Sequence, residues 1–344
     1  MSARTNGLLM DFSDFHRALH AWYAVHGRRD LPWRKSHDPY HVYVSEIMLQ
    51  QTQVKTVLDR YYVPFLKRFP TLAALAKTDT EAVVKQWEGL GYYTRARNLH
   101  AAAQQSGGKL PSTVEGLLAL PGIGRNTAHA VACFGFGIKV PVMEANVRRV
   151  LCRIFAMETA DEAVLWQRAG ELLDKANAFD YNQAMMDIGS MVCTRRNPRC
   201  GECPASPICK GKSAPELYPA PKASKATPVR ERVIVVFEGQ GGEFYLQRRD
   251  TRFLGGLYGF AEYETGSRSV TFLGQRHRLA DKQLLGQVRQ VYSHFTLQAK
   301  VYRVKLKKPS SLPEGMQAAT LAAISHLPLS GADHKILRLL KDSC

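Results

Sequence analysis

The stretch Leu120-Pro-Gly-Ile-Gly124-Arg-Asn-Thr-Ala128 lies between two segments whose apolar residues recur at helical spacing. Its alternate glycines, Gly122 and Gly124, allow a tight turn whose backbone N–H groups point outward at the start of the next helix. Such amides, together with the helix dipole, bind phosphate oxygens without reading a base sequence. The stretch therefore predicts either a helix-hairpin-helix turn that holds a nucleic-acid backbone or an ordinary glycine-rich turn between helices.

Four cysteines follow farther along the chain in the pattern Cys193-x6-Cys200-x2-Cys203-x5-Cys209. A [4Fe–4S] cluster is held by four thiolates, and a short loop rich in proline can fold around it. Zinc is the alternative metal for these four ligands. Zinc sites, however, usually contain two close cysteine pairs, and only the central pair is close here. Disulfides are less favoured because the N-terminal residues lack the pattern of a secretion signal. The spacing favours an iron–sulfur cluster.

The net charge of the chain is strongly positive, at +17 from 47 Lys and Arg against 30 Asp and Glu. Residues 230–344 contribute +8 and the preceding residues +9, so the positive charge is not confined to one tail. A polyanionic partner, most commonly nucleic acid, is the natural inference, and a basic enzyme without such a partner is the alternative. No apolar run approaches the roughly 18 residues of a membrane-spanning helix.

The first part of the chain has helical apolar spacing from about Asp11 to Met191, and no segment before residue 225 predicts a sheet. Asp38-Pro39 is typical of a helix start, with an aspartate cap followed by proline. Ser112-Thr-Val-Glu115 is typical of a capping box. These patterns predict a mostly helical domain over residues 8–210.

A segment rich in proline and lysine predicts a linker at 211–229, and the residue pattern changes after it. The β-rich runs 232–237 and 244–246 flank a glycine-rich turn and predict a hairpin. Segments 288–297 and 300–306 predict two further strands, and 332–340 predicts a closing helix. Residues 230–344 should therefore form an α+β domain.

Six blocks together are similar to the adenine DNA glycosylases, helix-hairpin-helix enzymes with an iron–sulfur cluster. The blocks are LPGIGRNTA, the cysteine loop, LPWR at 31–34, SEIMLQQTQV at 45–54, WEGLGYYTRARNLH at 87–100 and NQAMMDIGSMVCTRRNPRC at 182–200. The resemblance covers residues 12–209 and is weaker through the C-terminal part. It implies a helical glycosylase domain joined to a Nudix-like domain, one [4Fe–4S] cluster on the four cysteines, and removal of adenine opposite 8-oxoguanine or guanine in double-stranded DNA.

The resemblance also implies a catalytic group and an adenine pocket. The catalytic residues would be Glu46, Glu144 and Asn146, and the pocket residues Arg34, Trp33 and Asp187. Glu46 would protonate adenine at N7, for which a carboxyl partly shielded from water is suited because burial raises its pKa. Without the surrounding motif, Glu46 is more typical of a solvated helix glutamate.

Glu144 departs from the family pattern. The family has Asp-Gly-Asn-Val where this chain has Glu144-Ala-Asn-Val147. The family aspartate stabilises the sugar cation, binds it transiently and passes it to water with retained stereochemistry. One extra methylene moves the carboxylate by about 1 Å, and such a displacement can cost on the order of 100-fold in rate. Two interpretations stay open: a working carboxylate, or an enzyme that is slow, altered in substrate or only a lesion binder.

DNA contacts are implied for the hairpin and for two further positions. The residues are Gln51, Thr52, Tyr92, Leu120, Gly122, Gly124, Arg125 and Asn126. Gln51 and Tyr92 would penetrate the duplex, since a flat amide and an aromatic ring can stack between bases. Bifunctional relatives carry lysine at the position of Asn126, and an amide cannot form their Schiff base, so a monofunctional enzyme is expected.

In the second domain, Tyr292-Ser293-His294 resembles the Phe-Ser-His loop that recognises 8-oxoguanine, and ordinary strand residues are the alternative. Only Glu262 and Glu264 remain of the glutamates that hold magnesium in Nudix hydrolases, so nucleotide hydrolysis is not expected. A thymine glycosylase for T·G mismatches and a weak lesion-binding protein are alternative functions. We expect a monomer without a membrane segment, in the bacterial cytoplasm and associated with the nucleoid through DNA.

Overall fold

The computed structural model describes residues 12–221, 226–251, 253–307, 309 and 311–343. Residues 8–11 of the predicted first domain, 222–225 of the predicted linker, and positions 252, 308, 310 and 344 lie outside the described residues. The chain divides into two compact units, one within residues 1–62 and 105–223 and the other within residues 63–104 and 224–344. The domain boundaries inferred from the sequence stay a prediction.

Helices account for the ordered elements before residue 226, and none of the described residues there forms a strand, as the helical spacing predicted. The helices are α1 (Ser13–His26), α2 (Pro32–Lys35), α3 (Pro39–Leu49), α4 (Val54–Arg60), α5 (Tyr62–Arg68), α6 (Leu72–Lys77), α7 (Thr80–Gln86), α8 (Thr94–Gln105), α9 (Val114–Leu118), α10 (Arg125–Phe136), α11 (Ala145–Ile154), α12 (Glu162–Leu172) and α13 (Ala178–Met191). Among the helices described, none is long and apolar enough to cross a membrane.

Two helix starts show how local chemistry fixes these elements. The Asp38 side chain accepts a hydrogen bond from the Tyr40 N–H at 2.8 Å, and proline occupies the first position of α3, as predicted. The α9 helix is capped by Thr113, whose hydroxyl accepts from the Gly116 N–H at 3.1 Å. The N-cap is therefore one residue later than the predicted Ser112. Either hydroxyl can accept this hydrogen bond, and the position at which the helix begins decides which one does.

In the first unit, α13 packs against α1 and α11, and α3 packs against α10. Gly189 on α13 permits the contact with α11, since a Cβ there would lie only 2.8 Å from the Asn146 Cβ. This close approach brings the first turn of α11 directly against α13. It therefore places the Glu144 segment beside the helix that carries Asp187.

The second unit contains a seven-stranded mixed sheet and a separate hairpin. The strands are β1 (Val229–Glu238), β2 (Phe244–Arg248), β3 (Tyr258–Gly259), β4 (Ala261–Glu264), β5 (Ser269–Phe272), β6 (Gln275–Arg278), β7 (Gln283–Val291), β8 (Thr296–Lys305) and β9 (Met316–Ala319), followed by helices α14 (Leu321–Ile324) and α15 (Gly331–Lys341). The sheet order is β3-β2-β1-β8-β7, with β4 paired to β1 and β9 to β2, and β5 pairs with β6. The β1 and β8 strands are parallel, with Ile234 opposite Val301.

Strand β1 is buried on both faces of the sheet from Val233 to its end. Ile234 and Val236 pack in a cluster with Ile336 and Leu340 of α15, and the alternate residues, such as Val235, pack in a second cluster. This explains the continuous apolar run of the sequence, because a strand covered on both sides does not alternate with polar residues. The predicted β1–β2 hairpin and the predicted closing helix are confirmed.

The predicted strand 288–297 is wrong, because it joins the end of β7 to the start of β8. The β7 strand ends at Val291, residues 292–295 form a turn closed by a Tyr292 N–H to Phe295 carbonyl bond of 2.9 Å, and β8 begins at Thr296. The aromatic residues of the turn have high β-propensity. Here their rings pack on Phe253, with ring centroids 5.1 and 5.2 Å away. Tertiary packing therefore determined the chain reversal.

Candidate active site and DNA-binding elements

Two carboxylates, Glu46 and Glu144, share one site in the first unit. The pKa of Glu46 is raised to about 7, first by burial and then by the nearby negative charge of Glu144, while the positive charge of Arg34 opposes the rise. In the part of the chain that the structure describes, no group donates a hydrogen bond to the Glu46 carboxyl. This residue can therefore hold a proton near neutral pH and release it to a bound base.

Glu144 is the N-cap residue of α11. Its two carboxylate oxygens accept hydrogen bonds from the Val147 N–H and from the Asn146 side-chain amide, each at 3.2 Å. Burial raises the pKa of Glu144, while these hydrogen bonds and the charge of Arg149 work against the rise. Glutamate thus performs the capping role that a shorter residue usually has, and the cap fixes where its carboxylate lies.

The segment before Glu144 is held by two asparagine side chains. The Asn126 side-chain oxygen accepts from the Met143 N–H at 2.9 Å, and the Asn182 side-chain oxygen accepts from the Val142 N–H at 2.8 Å. Asn182 is only 1% exposed and also donates to the Val140 carbonyl oxygen at 3.0 Å. Asn126 thereby connects the first turn of α10 to the residue next to Glu144.

Arg149 connects the Glu144 region to the cysteine loop. Its guanidinium donates to the Asn146 side-chain oxygen at 3.0 Å, to the Gly189 carbonyl at 2.6 Å and to the Cys193 carbonyl at 2.9 Å. Because Asn146 in turn donates to Glu144, hydrogen bonds run from Cys193 to the carboxylate. Sequence reasoning did not identify Arg149, which lies in an Arg148-Arg149 pair with no distinguishing pattern.

Asp187 is completely buried between two arginines. One of its oxygens accepts from Arg34 at 2.6 Å and from the Arg28 N–H at 2.9 Å, and the other accepts from both guanidiniums. Burial alone would raise the pKa of Asp187, but hydrogen bonds and charge from Arg34, together with Arg28, lower it overall. Arg34 and Asp187 lie together as predicted, whereas Arg28 was not identified from the sequence.

Trp33 lies beside Arg34 on α2 and is 6% exposed. Its ring meets the Tyr62 ring edge to face, with centroids 5.1 Å apart. This packing holds a flat apolar side chain next to the Arg34–Asp187 pair. The role of these three residues as an adenine pocket stays a prediction.

The hairpin before α10 has the backbone geometry that the glycines indicated. Gly122 has a φ of +75°, and Gly124 is the N-cap of α10. Leu120 is buried at 6% exposure and anchors the turn, while Gly122, Gly124 and Arg125 are exposed. The turn therefore presents backbone amides and one arginine to solvent at the start of a helix, which suits a phosphate.

Gln51 and Tyr92, predicted to penetrate DNA, both have left-handed backbones, with φ of +56° and +49°. Such a conformation is uncommon and costly for residues other than glycine. Gln51 is exposed in the turn after α3, and the adjacent Thr52 hydroxyl donates to the Gln50 carbonyl. Tyr92 is 40% exposed, whereas its neighbour Tyr93 is buried.

In the second unit, Tyr92 and the β7–β8 turn line a cleft of about 660 Å³. Ser293 and His294 are exposed at its rim, Tyr292 is half-buried, and the Tyr92 hydroxyl is hydrogen-bonded to the Ser293 hydroxyl. The cleft thus brings together Tyr92 and the three residues that resemble the lesion-reading loop. Their role in lesion recognition stays a prediction.

The four cysteines Cys193, Cys200, Cys203 and Cys209 carry free thiols and line one pocket. The buried Arg153 lies against it, donating to the Cys193 sulfur at 3.2 Å, and its carbonyl accepts from the Cys209 thiol at 3.4 Å. Across the described residues, no group of three or more His, Cys, Asp or Glu is arranged to hold a metal ion. The structure thus brings the four sulfurs to one pocket with the Arg153 guanidinium beside it, and a cluster on them stays a prediction.

Comparisons with known proteins identify both domains. Residues 44–175 match the family described as HhH-GPD superfamily base excision DNA repair protein, and residues 232–339 match the NUDIX domain. The adenine DNA glycosylase of Buchnera aphidicola subsp. Schizaphis graminum is 32% identical over 82% of this chain and 85% of its own. That of subsp. Baizongia pistaciae is 38% identical over 59% of this chain, and the match spans only 60% of that relative.

Among solved structures, a thermostable thymine-DNA glycosylase matches 58% of this chain and 95% of its own, with a TM-score of 0.54 and 29% identity. The predicted fold class, a helical glycosylase domain followed by a Nudix-like domain, is confirmed by these matches. The chain belongs to the adenine DNA glycosylase family of base-excision DNA repair enzymes.

Proposed function

We propose that the chain hydrolyses the N-glycosidic bond of adenine paired with 8-oxoguanine or guanine in double-stranded DNA, and leaves the strand intact. The observation that carries the proposal is the pair of carboxylates in one site, one of which has a pKa near 7. Family membership supports adenine as the base that is removed. The enzyme would act as a monomer on bacterial DNA in the cytoplasm.

Glu46 supplies the proton in this mechanism. Adenine leaves poorly as an anion, so the protonated carboxyl of Glu46 donates to N7 as the bond between the sugar C1′ and N9 breaks. The bonding electrons pass to the base, and the sugar becomes an oxocarbenium-like cation. A pKa near 7 keeps a useful fraction of Glu46 protonated at neutral pH.

Glu144 serves the sugar cation. Its ionised carboxylate lies next to the acid, is oriented by Asn146 and the Val147 N–H, and can form a transient bond to C1′. Water then replaces the carboxylate at C1′, which gives overall retention as in two-carboxylate glycosidases. The cap holds the longer side chain in one position, which supports Glu144 as the working carboxylate.

Asn126 supports a monofunctional reaction. It occupies the hairpin position at which a lysine would attack C1′, and its side-chain oxygen is already engaged with the Met143 N–H. An amide offers no nucleophilic nitrogen for a Schiff base. Strand cleavage would therefore need alkali or another enzyme.

The four cysteines lining one pocket would hold a [4Fe–4S] cluster. A cube spreads its ligands more widely than a single ion does, and soft thiolates suit iron–sulfur chemistry. When bound, the cluster would supply a rigid centre for the loop, and no step of the reaction passes through it. Arg153 would stabilise the Cys193 thiolate by its hydrogen bond to sulfur.

The cleft of the second unit would hold the base opposite adenine. Ser293 and His294 supply short polar groups for the N7–H and exocyclic edge that distinguish 8-oxoguanine from guanine. Glu262 and Glu264 both pair with Arg232, at 3.2 and 2.9 Å, which is consistent with a domain that binds DNA and does not hydrolyse nucleotides.

Single-turnover assays on four duplexes test the proposal: A·8-oxoguanine, A·G, T·G and A·T. Excision of adenine from the first two, revealed as strand breaks only after alkali, is the expected result. Comparable cleavage of T·G would indicate a thymine glycosylase, and tight lesion binding without breaks would indicate a lesion-binding protein. A covalent adduct trapped by borohydride would contradict the monofunctional mechanism.

A further inference from the structure

The Arg125 guanidinium lies over the indole ring of Trp166. The guanidinium carbon is 4.1 Å from the ring centroid, which is within the range of a cation–π contact. Trp166 belongs to α12 and is 6% exposed, whereas Arg125 is exposed at the first position of α10. Trp166 also contacts the His129 ring, with centroids 4.7 Å apart. The indole is therefore fixed by the core while one face supports the arginine.

The neighbouring carboxylate is engaged elsewhere. Glu162 accepts from the Trp166 indole N–H at 2.9 Å and forms an ion pair with Arg148. Within the described part of the chain, Arg125 has no ion pair with a carboxylate. The hydrogen bond from Arg148 and, to a smaller extent, the charge of Arg125 lower the pKa of Glu162, so Arg125 and Glu162 lie near each other. The Arg125 guanidinium is nevertheless not ion-paired within the described residues, so it can bind an anion, and the indole ring limits its orientation.

We propose that Trp166 is a positioning residue that holds the Arg125 guanidinium for a DNA phosphate at the hairpin amides. The inference rests on the proposed function, which supplies the DNA. A free arginine side chain loses rotamer freedom when it binds a phosphate, which weakens binding. Stacking on the indole already restricts the side chain in the free protein, so less freedom is lost when DNA binds. The planar guanidinium keeps its N–H edge open while its face contacts the ring.

A double-mutant cycle on an undamaged duplex tests the coupling. We expect Trp166→Leu to weaken binding by about 3- to 10-fold, in line with a cation–π contact. Arg125→Leu should weaken binding at least as much and lower the salt dependence by about one phosphate contact. If the ring acts through the arginine, the double variant binds no more weakly than Arg125→Leu. Additive losses, or no loss for Trp166→Leu, would overturn the proposal.

Three further variants separate positioning from folding. Trp166→Phe keeps a ring and should bind within about 2-fold of the parent, and a loss as large as that of Trp166→Leu contradicts the platform role. Arg125→Lys keeps the charge without the planar group, and binding equal to the parent would likewise contradict stacking, even where Trp166→Leu fails to fold. Val164→Ala, at an exposed position of α12, serves as the matched control. Because undamaged DNA requires no excision, these results are independent of whether adenine is the substrate.

Discussion

The pKa of Glu46 near 7 predicts a specific pH dependence for adenine excision. If the protonated carboxyl is the general acid, about 90% of the enzyme is active at pH 6 and about 10% at pH 8. The single-turnover rate should therefore fall about tenfold across this range and about tenfold per unit beyond it. The sign follows from burial, which disfavours the ionised form and so raises the pKa.

The assay is excision from an A·8-oxoguanine duplex at saturating enzyme, with alkali cleavage of quenched samples at each pH. Glu46→Gln removes the proton donor and should lower the rate by on the order of 10²- to 10⁴-fold and abolish the alkaline fall. Duplex binding measured at the same pH values is the control. A flat parent profile from pH 6 to 8.5, or a Glu46→Gln variant that keeps the slope, would refute the assignment.

The same pKa has a consequence for stability. A carboxyl whose pKa is raised on folding destabilises the fold as pH rises from about 4.5 through 7, because the folded state disfavours the ion. Complete ionisation of Glu46 would lower the free energy of unfolding by up to about 3 kcal/mol. The loss is smaller where water reaches the carboxyl, and Glu46 is partly exposed. Glu46→Gln should thus be more stable than the parent at pH 8 and equal to it below pH 4.5. Denaturant unfolding of both proteins at the two pH values measures this. A difference in the free energy of unfolding that is the same at both pH values would contradict the prediction.

Substitutions at three other positions have clear expected outcomes. Glu144→Gln should abolish excision but keep the affinity for the lesion duplex in a gel-shift assay, and unchanged excision would assign the sugar cation to another carboxylate. Glu144→Asp should retain or raise the rate, because aspartate is a better helix cap. Cys203→Ser should yield protein that lacks iron by metal analysis and binds DNA poorly, and a soluble active variant would contradict the cluster. His294→Ala should reduce excision of sparse lesions in excess undamaged DNA far more than single-turnover excision, and equal loss in both assays would count against it.

Features that depend on neighbouring residues could be predicted from the sequence. The Asp38-Pro39 helix start, the hairpin glycines and the β1–β2 turn each follow from local backbone chemistry, and the structure contains all three. The strand predicted at 288–297 failed because Tyr292 and Phe295 owe their conformation to packing on Phe253, which lies about 40 residues away along the chain. Propensity describes such residues as strand formers wherever they occur.

The charge arrangement of the site could not be read from motifs. In Gly27-Arg28-Arg29-Asp30 either arginine could face inward, and only the tertiary fold shows that Arg28 binds Asp187. This matters for the acid, since Arg34 lowers the pKa of Glu46 while Asp187 partly neutralises Arg34. By binding Asp187 as well, Arg28 reduces the share of that carboxylate available to Arg34. The pKa of Glu46 is therefore set by burial and by the charges of Glu144 and Arg34, which come from other elements of the fold, whereas the motif at 45–54 indicates only that a shielded carboxyl is present.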